Sequence, residues 1–180
     1  MSRQAAEERY RQRRRMAYDA ALEIIATHAE IPRDDMELRE ISLLGVRAVT
    51  IAWESDRRRR VHWPWPDLRD RFYRDPARFD LEIRCRGQIC AFALGRPSNS
   101  RSHCSLYFVE GSPDPAHPLC KKVLPVVLTA LERYCVAIGA AEMRIVDPLP
   151  PLIPLYVGRY GFALADAPKH APYCAREVGS

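Results

Sequence analysis

The sequence predicts an α/β (α+β) fold, in which a mixed central sheet is flanked by helices and preceded by an N-terminal helical extension. Several short segments alternate apolar and polar residues, as half-buried strands do, while others repeat apolar residues every three or four positions, as amphipathic helices do. After the helical N-terminal region, the segments follow the order β, α, β, β, β, α, β, α, β, β. Such a mixed order is typical of helices packed on one sheet.

The composition is that of one globular unit. The chain has 180 residues, of which 47% are hydrophobic and 28% charged, and this length is sufficient to bury a proper core. We expect residues 1–45 to form the helical extension and residues 46–180 to form a single domain. The 28 basic and 23 acidic side chains leave a net charge of +5, which is a modest attraction for a polyanion.

Several classes of protein are not expected from this composition. No apolar run approaches the roughly 20 residues that span a bilayer, and no apolar segment follows the charged N-terminus as it would in a signal peptide. The six cysteines include no Cys-x-x-Cys pair and no histidine pair has zinc spacing, so we expect no metal site. We therefore expect a cytoplasmic protein with reduced, mostly buried thiols and no membrane partner.

The N-terminal elements are predicted from periodicity and from residues that start or stop helices. Residues 2–30 repeat apolar side chains at helical spacing, and Pro32 ends the segment. A second, short helix is predicted over Met36–Leu44, with Gly45 as its stop. Val46–Trp53 is rich in β-branched residues, which favours a strand.

The remaining elements are predicted in the same way. In order, they are an exposed turn at Arg57–Arg60, a helix from Pro66 to about Arg74, strands at Arg78–Arg86, Ile89–Leu94 and His103–Val109, a long helix ending at Gly139, a strand at Glu142–Val146, a helix at Pro150–Tyr160, a strand region opening at Gly161, and a strand at Ala171–Val178. The long helix has two predicted starts. It begins either at Pro118, with a kink at Pro125, or near Pro125 itself.

One stretch of the second half carries a more specific signal. A strand ending in Tyr107, Phe108 and Val109 precedes the long helix, and a further strand and helix then close with a Leu-Tyr pair followed by Gly161 and Phe162. This arrangement resembles the GNAT acetyltransferase superfamily. The resemblance extends over about residues 46–178.

The resemblance implies a cofactor and a place for it. Members of the superfamily bind acetyl-CoA in a V-shaped opening between the strands that match His103–Val109 and Glu142–Val146, where splayed backbone can pair with pantetheine. The pyrophosphate lies at the N-terminus of the following helix, whose unpaired amides favour an anion. The implied cofactor-binding residues are Tyr107, Phe108, Val109, His117, Lys121 and Lys122.

The resemblance also implies a reaction. An amine attacks the thioester, a base accepts the proton of the amine, and an acid protonates the departing thiolate. Tyr156 matches the acid, and Glu110 is the candidate base because it follows the third strand of the hairpin region. Trp63 and Trp65 are candidates for a wall of the acceptor site.

The sequence departs from the family pattern at the phosphate loop. None of the eight glycines lies between Gly111 and Gly139, whereas the family has spaced glycines that let backbone approach a phosphate closely. Pro113, Pro115 and Pro118 stand there instead, and proline has no N–H to donate. Tyr156 also lies five residues before Gly161, where four is commoner in the family.

These observations lead to one principal hypothesis and two alternatives. The principal hypothesis is an acetyl-CoA-dependent N-acyltransferase, acting on a small-molecule or protein amine, and a homodimer is compatible with it. The first alternative is a GNAT-fold binding or regulatory module without CoA chemistry, whose cleft is closed or filled by side chains. The second is nucleic-acid association through Arg11–Arg15 and Arg57–Arg60, which the modest net charge does not favour.

Overall fold

Helices and strands alternate through the chain in an order close to the predicted one. The computed structural model describes residues 2–28, 32–165 and 171–179. The helices are α1 (Arg3–His28), α2 (Leu43–Trp53), α3 (Trp65–Phe72), α4 (Val123–Ile138) and α5 (Ile153–Tyr160). The strands are β1 (Met36–Arg39), β2 (Phe79–Cys85), β3 (Gln88–Pro97), β4 (His103–Gly111), β5 (Glu142–Val146), β6 (Ala163–Ala165) and β7 (Tyr173–Glu177).

The strands of the described chain form one mixed sheet in the order β1-β2-β3-β4-β5-β7-β6. Every neighbouring pair is antiparallel except β4 and β5, which run parallel. A parallel pair needs a crossover connection, and α4 supplies it here. The only parallel neighbours of this sheet therefore lie at its centre.

Helices cover both faces of the sheet. On one face, α2 and α3 bury an aromatic cluster that includes Trp53, Trp65, Phe72 and Phe92. On the other face, α1, α4 and α5 bury the larger core. The predicted α/β architecture with a mixed central sheet is thus confirmed.

Helix α1 lies on the body of the protein, packed along α4. Its apolar stripe, which includes Tyr10, Tyr18 and Leu22, is buried. Arg14 has no exposed area in spite of its charge, and it donates hydrogen bonds to the carbonyl oxygens of Pro76 and Arg78. The helix therefore lies on the body of the protein and does not project from it.

The prediction of a short helix over Met36–Leu44 is wrong. Met36–Arg39 is strand β1, which pairs with β2 within the sheet. Its burial alternates, with Met36 and Leu38 inward and Glu37 exposed, and this is the period of a strand rather than of a helix. The sheet therefore begins inside the segment 1–45 that was assigned to the extension.

The strand predicted at Val46–Trp53 is also wrong, because these residues belong to α2. Val46, Val49 and Trp53 are buried at spacings of three and four residues, which is the helical period. Ser42 caps the helix by accepting a hydrogen bond from the amide of Gly45. The β-branched content was outweighed by the packing of this apolar stripe on the sheet.

The second half agrees with the sequence more closely. Strand β5 spans the predicted residues, Glu142–Val146. Helix α4 begins at Val123, so Pro125 lies in its first turn, where a missing N–H costs no helical hydrogen bond. The later of the two predicted starts is correct. No helix of the described residues is long and apolar enough to cross a membrane.

Candidate functional site

The sheet opens between its two parallel strands. Strands β4 and β5 pair from His103 with Glu142 to Leu106 with Ile145. Beyond Leu106, β4 continues to Gly111 and pairs only with β3. The strands diverge into a cleft of about 570 Å³ that reaches the first turn of α4.

A β-bulge accounts for this divergence. On β3 and β4, Leu94 is opposite Phe108 and the next residue, Gly95, is opposite Leu106. Tyr107 is therefore an extra, unpaired residue on β4. A bulge bends its strand and increases the local twist, and this bulge directly follows the last residue of β4 that pairs with β5.

Six of the residues singled out from the sequence line this cleft. They are Trp63, Tyr107, Phe108, Val109, Lys121 and Tyr156. They come from four separate parts of the chain: the α2–α3 loop, β4, the segment before α4, and α5. The fold therefore brings together positions that are nearly one hundred residues apart in the sequence.

Tyr156 projects from α5 into the cleft and is 6% exposed. Its ring packs edge-on against Phe162 with a centroid distance of 6.2 Å. Gly161 ends the helix in the left-handed conformation, which lets the amide of Phe162 donate to the carbonyl of Tyr156. Burial raises the pKa of the Tyr156 phenol, so the hydroxyl keeps its proton at neutral pH.

Glu110 lies on β4 but faces α3 rather than the cleft. Its carboxylate is 3% exposed and forms a two-pronged ion pair with Arg59. The indole N–H of Trp65 also donates to it, at 2.6 Å. Three donors therefore hold the carboxylate, and they attach the α2–α3 loop to β4. Its neighbours Val109 and Gly111 do line the cleft.

The two predicted tryptophans have different surroundings. Trp63 lines the cleft, packs edge-on against Phe108 at 4.9 Å, and donates its indole N–H to the carbonyl of Val109 at 3.3 Å. Trp65 is 1% exposed and belongs to the core beneath α3. Only Trp63 is thus placed to contact a molecule in the cleft.

The predicted phosphate-binding side chains also separate. Lys121 is exposed, has a positive φ of 63°, and lines the cleft. Lys122 is exposed at the N-cap of α4. His117 is buried outside the cleft lining, and its Nδ1 has no hydrogen-bond partner among the described residues. Burial lowers the pKa of His117, which keeps the imidazole neutral near pH 7.

Most backbone amides of the loop before α4 donate hydrogen bonds to acceptors within the protein. The amides of Ser112, Asp114, Ala116, His117, Cys120 and Lys122 all donate within the protein. The amides of Lys121, Val123 and Leu124 have no acceptor in the described part of the chain. The residues that carry these three amides line the cleft, and unpaired N–H groups at a helix N-terminus attract anions.

Several solved structures share this architecture. The ribosomal-protein-S18-alanine N-acetyltransferase from Escherichia coli matches 81% of this chain and 95% of its own, with a TM-score of 0.55 at 14% identity. Ard1 from Thermoplasma volcanium matches 81% of this chain and 99% of its own, with a TM-score of 0.58 at 13% identity. The chain has the GNAT acetyltransferase fold. No family model and no curated protein matches the sequence.

A further structure with this GNAT fold is Mycobacterium smegmatis RimJ in complex with CoA-disulfide. It matches 79% of this chain and 82% of its own, with a TM-score of 0.58 at 9% identity. At such identities the comparison establishes the fold alone. The chemistry of the present cleft has to be argued from its own residues.

Sequence reasoning missed two features of this GNAT-fold site. Arg59, expected in a solvated turn, has a side chain that is only 8% exposed and that holds Glu110. Tyr107 was noted for its backbone, but its position as the bulge residue follows only from the register of β3 and β4. A run of four arginines gives no sign of which one turns inward, and a bulge has no reliable signature in a single strand. Within the described residues, no group of three metal-ligating side chains occurs.

Proposed function

We propose that the chain is an acetyl-CoA-dependent N-acyltransferase, which transfers an acetyl group to the amine of a small molecule or a protein. The observation that carries this proposal is the open cleft between β4 and β5, with Tyr156 inside it and unpaired amides at its mouth. The alternative of a binding module without CoA chemistry predicts a cleft closed by side chains. The open cleft favours the enzyme.

The mouth of the cleft carries hydrogen-bond donors and a positive charge, which are complementary to the negatively charged phosphates of CoA. It lacks the glycines of the family loop. The amides of Lys121, Val123 and Leu124 would donate to phosphate oxygens, and the Lys121 ammonium group adds a positive charge beside them. Cations at a helix N-terminus are unfavourable unless an anion is present. A bound anion would therefore offset the unfavourable position of the Lys121 ammonium group.

Acetyl-CoA supplies an acetyl thioester whose carbonyl carbon an amine can attack. In the transfer a C–N bond forms, the C–S bond breaks, the amine loses one proton and the departing sulfur gains one. We assign the proton given to sulfur to Tyr156, because its side chain lines the cleft and its raised pKa keeps the phenol protonated.

Glu110 is the proposed base, from its place on β4 between two cleft-lining residues. Its carboxylate oxygens already accept from Arg59 and Trp65. To take a proton from the amine, the carboxylate must act through a water molecule or release one of these donors. The same contacts give Glu110 a second role, which is to fix the α2–α3 loop and with it Trp63.

A nucleic-acid partner is not favoured, because both arginine clusters are divided by ion pairs. Arg14 is buried in the first cluster and Arg59 in the second. Arg58 pairs with Asp56 at 2.7 Å, and Arg11 pairs with Glu8 at 2.8 Å. These pairs leave no continuous run of free guanidinium groups of the kind that binds a phosphate backbone.

Calorimetric titration of the full chain with acetyl-CoA tests the proposed function. We expect saturable binding by the wild type, weaker binding by Lys121→Ala, and unchanged binding by Arg47→Ala, whose side chain is exposed on α2. Bound ligand must also raise the melting temperature. Absence of both binding heat and a thermal shift at saturating acetyl-CoA would disprove the proposal.

A further inference from the structure

A second concave site lies beside the divergence of β4, on the face of the sheet that α3 covers. It has a volume of about 530 Å³. Its basic side chains are Arg71 and Arg74 from the end of α3 and Arg96 from β3, and its apolar part consists of Phe72 and Tyr107. With Asp75, which also lines the site, we call these six residues the arginine pocket.

The three guanidinium groups have no carboxylate partner in the described part of the chain. Arg96 lies over the ring of Phe72 at 4.3 Å, and Arg71 lies over the same ring at 5.6 Å. The Nε atom of Arg96 is buried and has no acceptor among the residues that the structure describes, which is unfavourable for a charged donor. Asp75 also lines the pocket, and its Oδ1 accepts from the amide of Ala77.

Three arginines with buried side chains are held differently. Arg14, Arg59 and Arg78 each contact a glutamate carboxylate. The arginine pocket instead gathers three positive charges around a single negative one, and aromatic rings rather than carboxylates hold two of the cations. Stacked guanidinium groups keep their N–H edges free for a planar anion.

The arginine pocket adjoins the candidate active site through Tyr107. This residue lines both the pocket and the cleft, and it is the bulge residue at the point where β4 and β5 diverge. A molecule seated in the pocket would therefore extend toward the position where an amine has to meet the thioester.

We infer that the arginine pocket binds an anionic group of the acceptor, a carboxylate or a phosphate, so that the acceptor is an amine that carries such a group. This inference rests on the proposed function and specifies its substrate class. Arginine recognises both anions through paired, charge-assisted hydrogen bonds. Three cations repel an ammonium group, so the acceptor is oriented with its anion in the pocket and its amine toward the cleft. The same charges lower the pKa of that amine, which favours its reactive, neutral form.

The test uses matched amines in solution with the full chain saturated with CoA, so that the phosphate sites of the cleft are occupied. One pair is O-phosphoethanolamine and ethanolamine, and the other is glycyl-glutamate amide and glycyl-glutamine amide. Binding is followed in ¹H–¹⁵N spectra by the resonances of the arginine Nε–H groups. These resonances are assigned from the signals that disappear in Arg96→Gln and in the double variant Arg71→Gln/Arg74→Gln. The double variant changes only exposed side chains, so it stays folded even where Arg96→Gln does not.

We expect the anionic member of at least one pair to bind about tenfold or more tightly than its neutral partner, because charge-assisted hydrogen bonds are about twice as strong as neutral ones. The double variant should abolish this difference, and added salt should weaken it. Arg47→Gln serves as the control and should leave it unchanged.

Two results would overturn the inference: no saturable shift of these resonances with either anionic amine, or a preference that survives in the double variant. The titration with acetyl-CoA is read separately. If CoA does not bind, the proposed function fails whatever the pocket does. If CoA binds and the anionic amines show no preference, only the inference about the acceptor fails.

Discussion

The hydroxyl of Tyr156 is the single group on which the proposed proton transfer to sulfur depends. Tyr156→Phe removes it and keeps the ring that packs on Phe162. We expect kcat to fall by about 100-fold or more, since general acid catalysis contributes about 10²–10⁴, while acetyl-CoA binding stays within about twofold. Release of the CoA thiol measures the rate and calorimetry measures the binding.

The pH dependence separates this role from a packing role. Burial raises the pKa of Tyr156 above the ordinary phenol value of about 10, so the acid form persists through neutral pH and is lost only in strong alkali. We expect wild-type kcat to fall on that alkaline limb and the Phe variant to lack it. Tyr160→Phe, on the same helix, is the control. If Tyr156→Phe and Tyr160→Phe lower kcat equally, Tyr156 is not the general acid.

Glu110 and Arg59 make a prediction about stability. Glu110→Gln leaves the guanidinium of Arg59 without its carboxylate while both side chains remain buried. Breaking one partner of a buried ion pair costs about 3–5 kcal/mol of unfolding free energy, which urea denaturation measures. Glu110→Gln combined with Arg59→Met removes the orphaned charge and should recover part of the loss. An unchanged urea midpoint in the single variant would contradict the anchoring role.

Single residues of the site were predictable where a local pattern defines them. Tyr156 was found because a Leu-Tyr pair precedes Gly161 and Phe162, and a helix end built on a left-handed glycine is local in sequence. Trp65 and His117 were drawn to the site by their chemistry but are buried away from the cleft. Their burial depends on α3 and on the loop before α4, which no local pattern specifies.

At the level of elements, the bulge on β4 depends on the absence of a side chain at Gly95. A Cβ atom there would lie 2.5 Å from the carbonyl oxygen of Ser105, which is backbone and cannot move aside. We expect Gly95→Ala to lower stability by about 1–3 kcal/mol, the usual cost of overpacking, and to weaken acetyl-CoA binding because the strands of the cleft shift.

Gly158→Ala is the matched control for that prediction. Gly158 lies within α5, and an added Cβ meets nothing within 4 Å. Alanine in a helix is favoured over glycine by about 0.5–1 kcal/mol, so this variant should unfold at a higher urea concentration than the wild type. If Gly95→Ala is as stable as the wild type, the bulge does not need the close approach of the two strands.

Elements differed in how far the sequence specified them. The strand Glu142–Val146 has a clear alternation between Gly139 and Asp147, and its bounds were predicted correctly. The region from Met36 to Trp53 was assigned in reverse, helix for strand and strand for helix. A four-residue strand shows only two alternations, and β-branched residues fit an amphipathic helix when its stripe packs on a sheet.

For the whole molecule, the sequence analysis assigned residues 1–45 to an extension and residues 46–180 to the domain. Residues 1–45 contribute α1, which packs along α4, and β1, which extends the sheet. Charged groups join these parts: Arg14 of α1 lies within ion-pair distance of Glu7, Glu40 and Asp80. We therefore expect the segment to unfold together with the rest of the chain.

Arg14→Leu tests this coupling. It replaces the charged side chain on α1 by a shorter, apolar one, and it leaves Asp80, which has no exposed area, with less positive charge around it. Since losing one partner of a buried pair costs about 3–5 kcal/mol, the midpoint of a single cooperative urea transition should fall substantially. Arg15→Leu changes the exposed neighbour on the same helix and should alter stability by no more than about 0.5 kcal/mol.

The loss in Arg14→Leu should also depend on pH in a defined direction. Burial raises the pKa of Asp80 to about 6, above the value of about 4 for an exposed carboxyl. The folded protein thus binds the Asp80 proton more tightly than the unfolded chain, and the stability from this proton is present below about pH 4 and is lost as the pH rises through about 6. Without Arg14 the charged form of Asp80 is less favourable still, so the deficit against the wild type should be larger at about pH 8 than at about pH 5. A deficit independent of pH, or a separate early transition assigned to α1 in the wild type, would show that the helix is held by its apolar stripe alone.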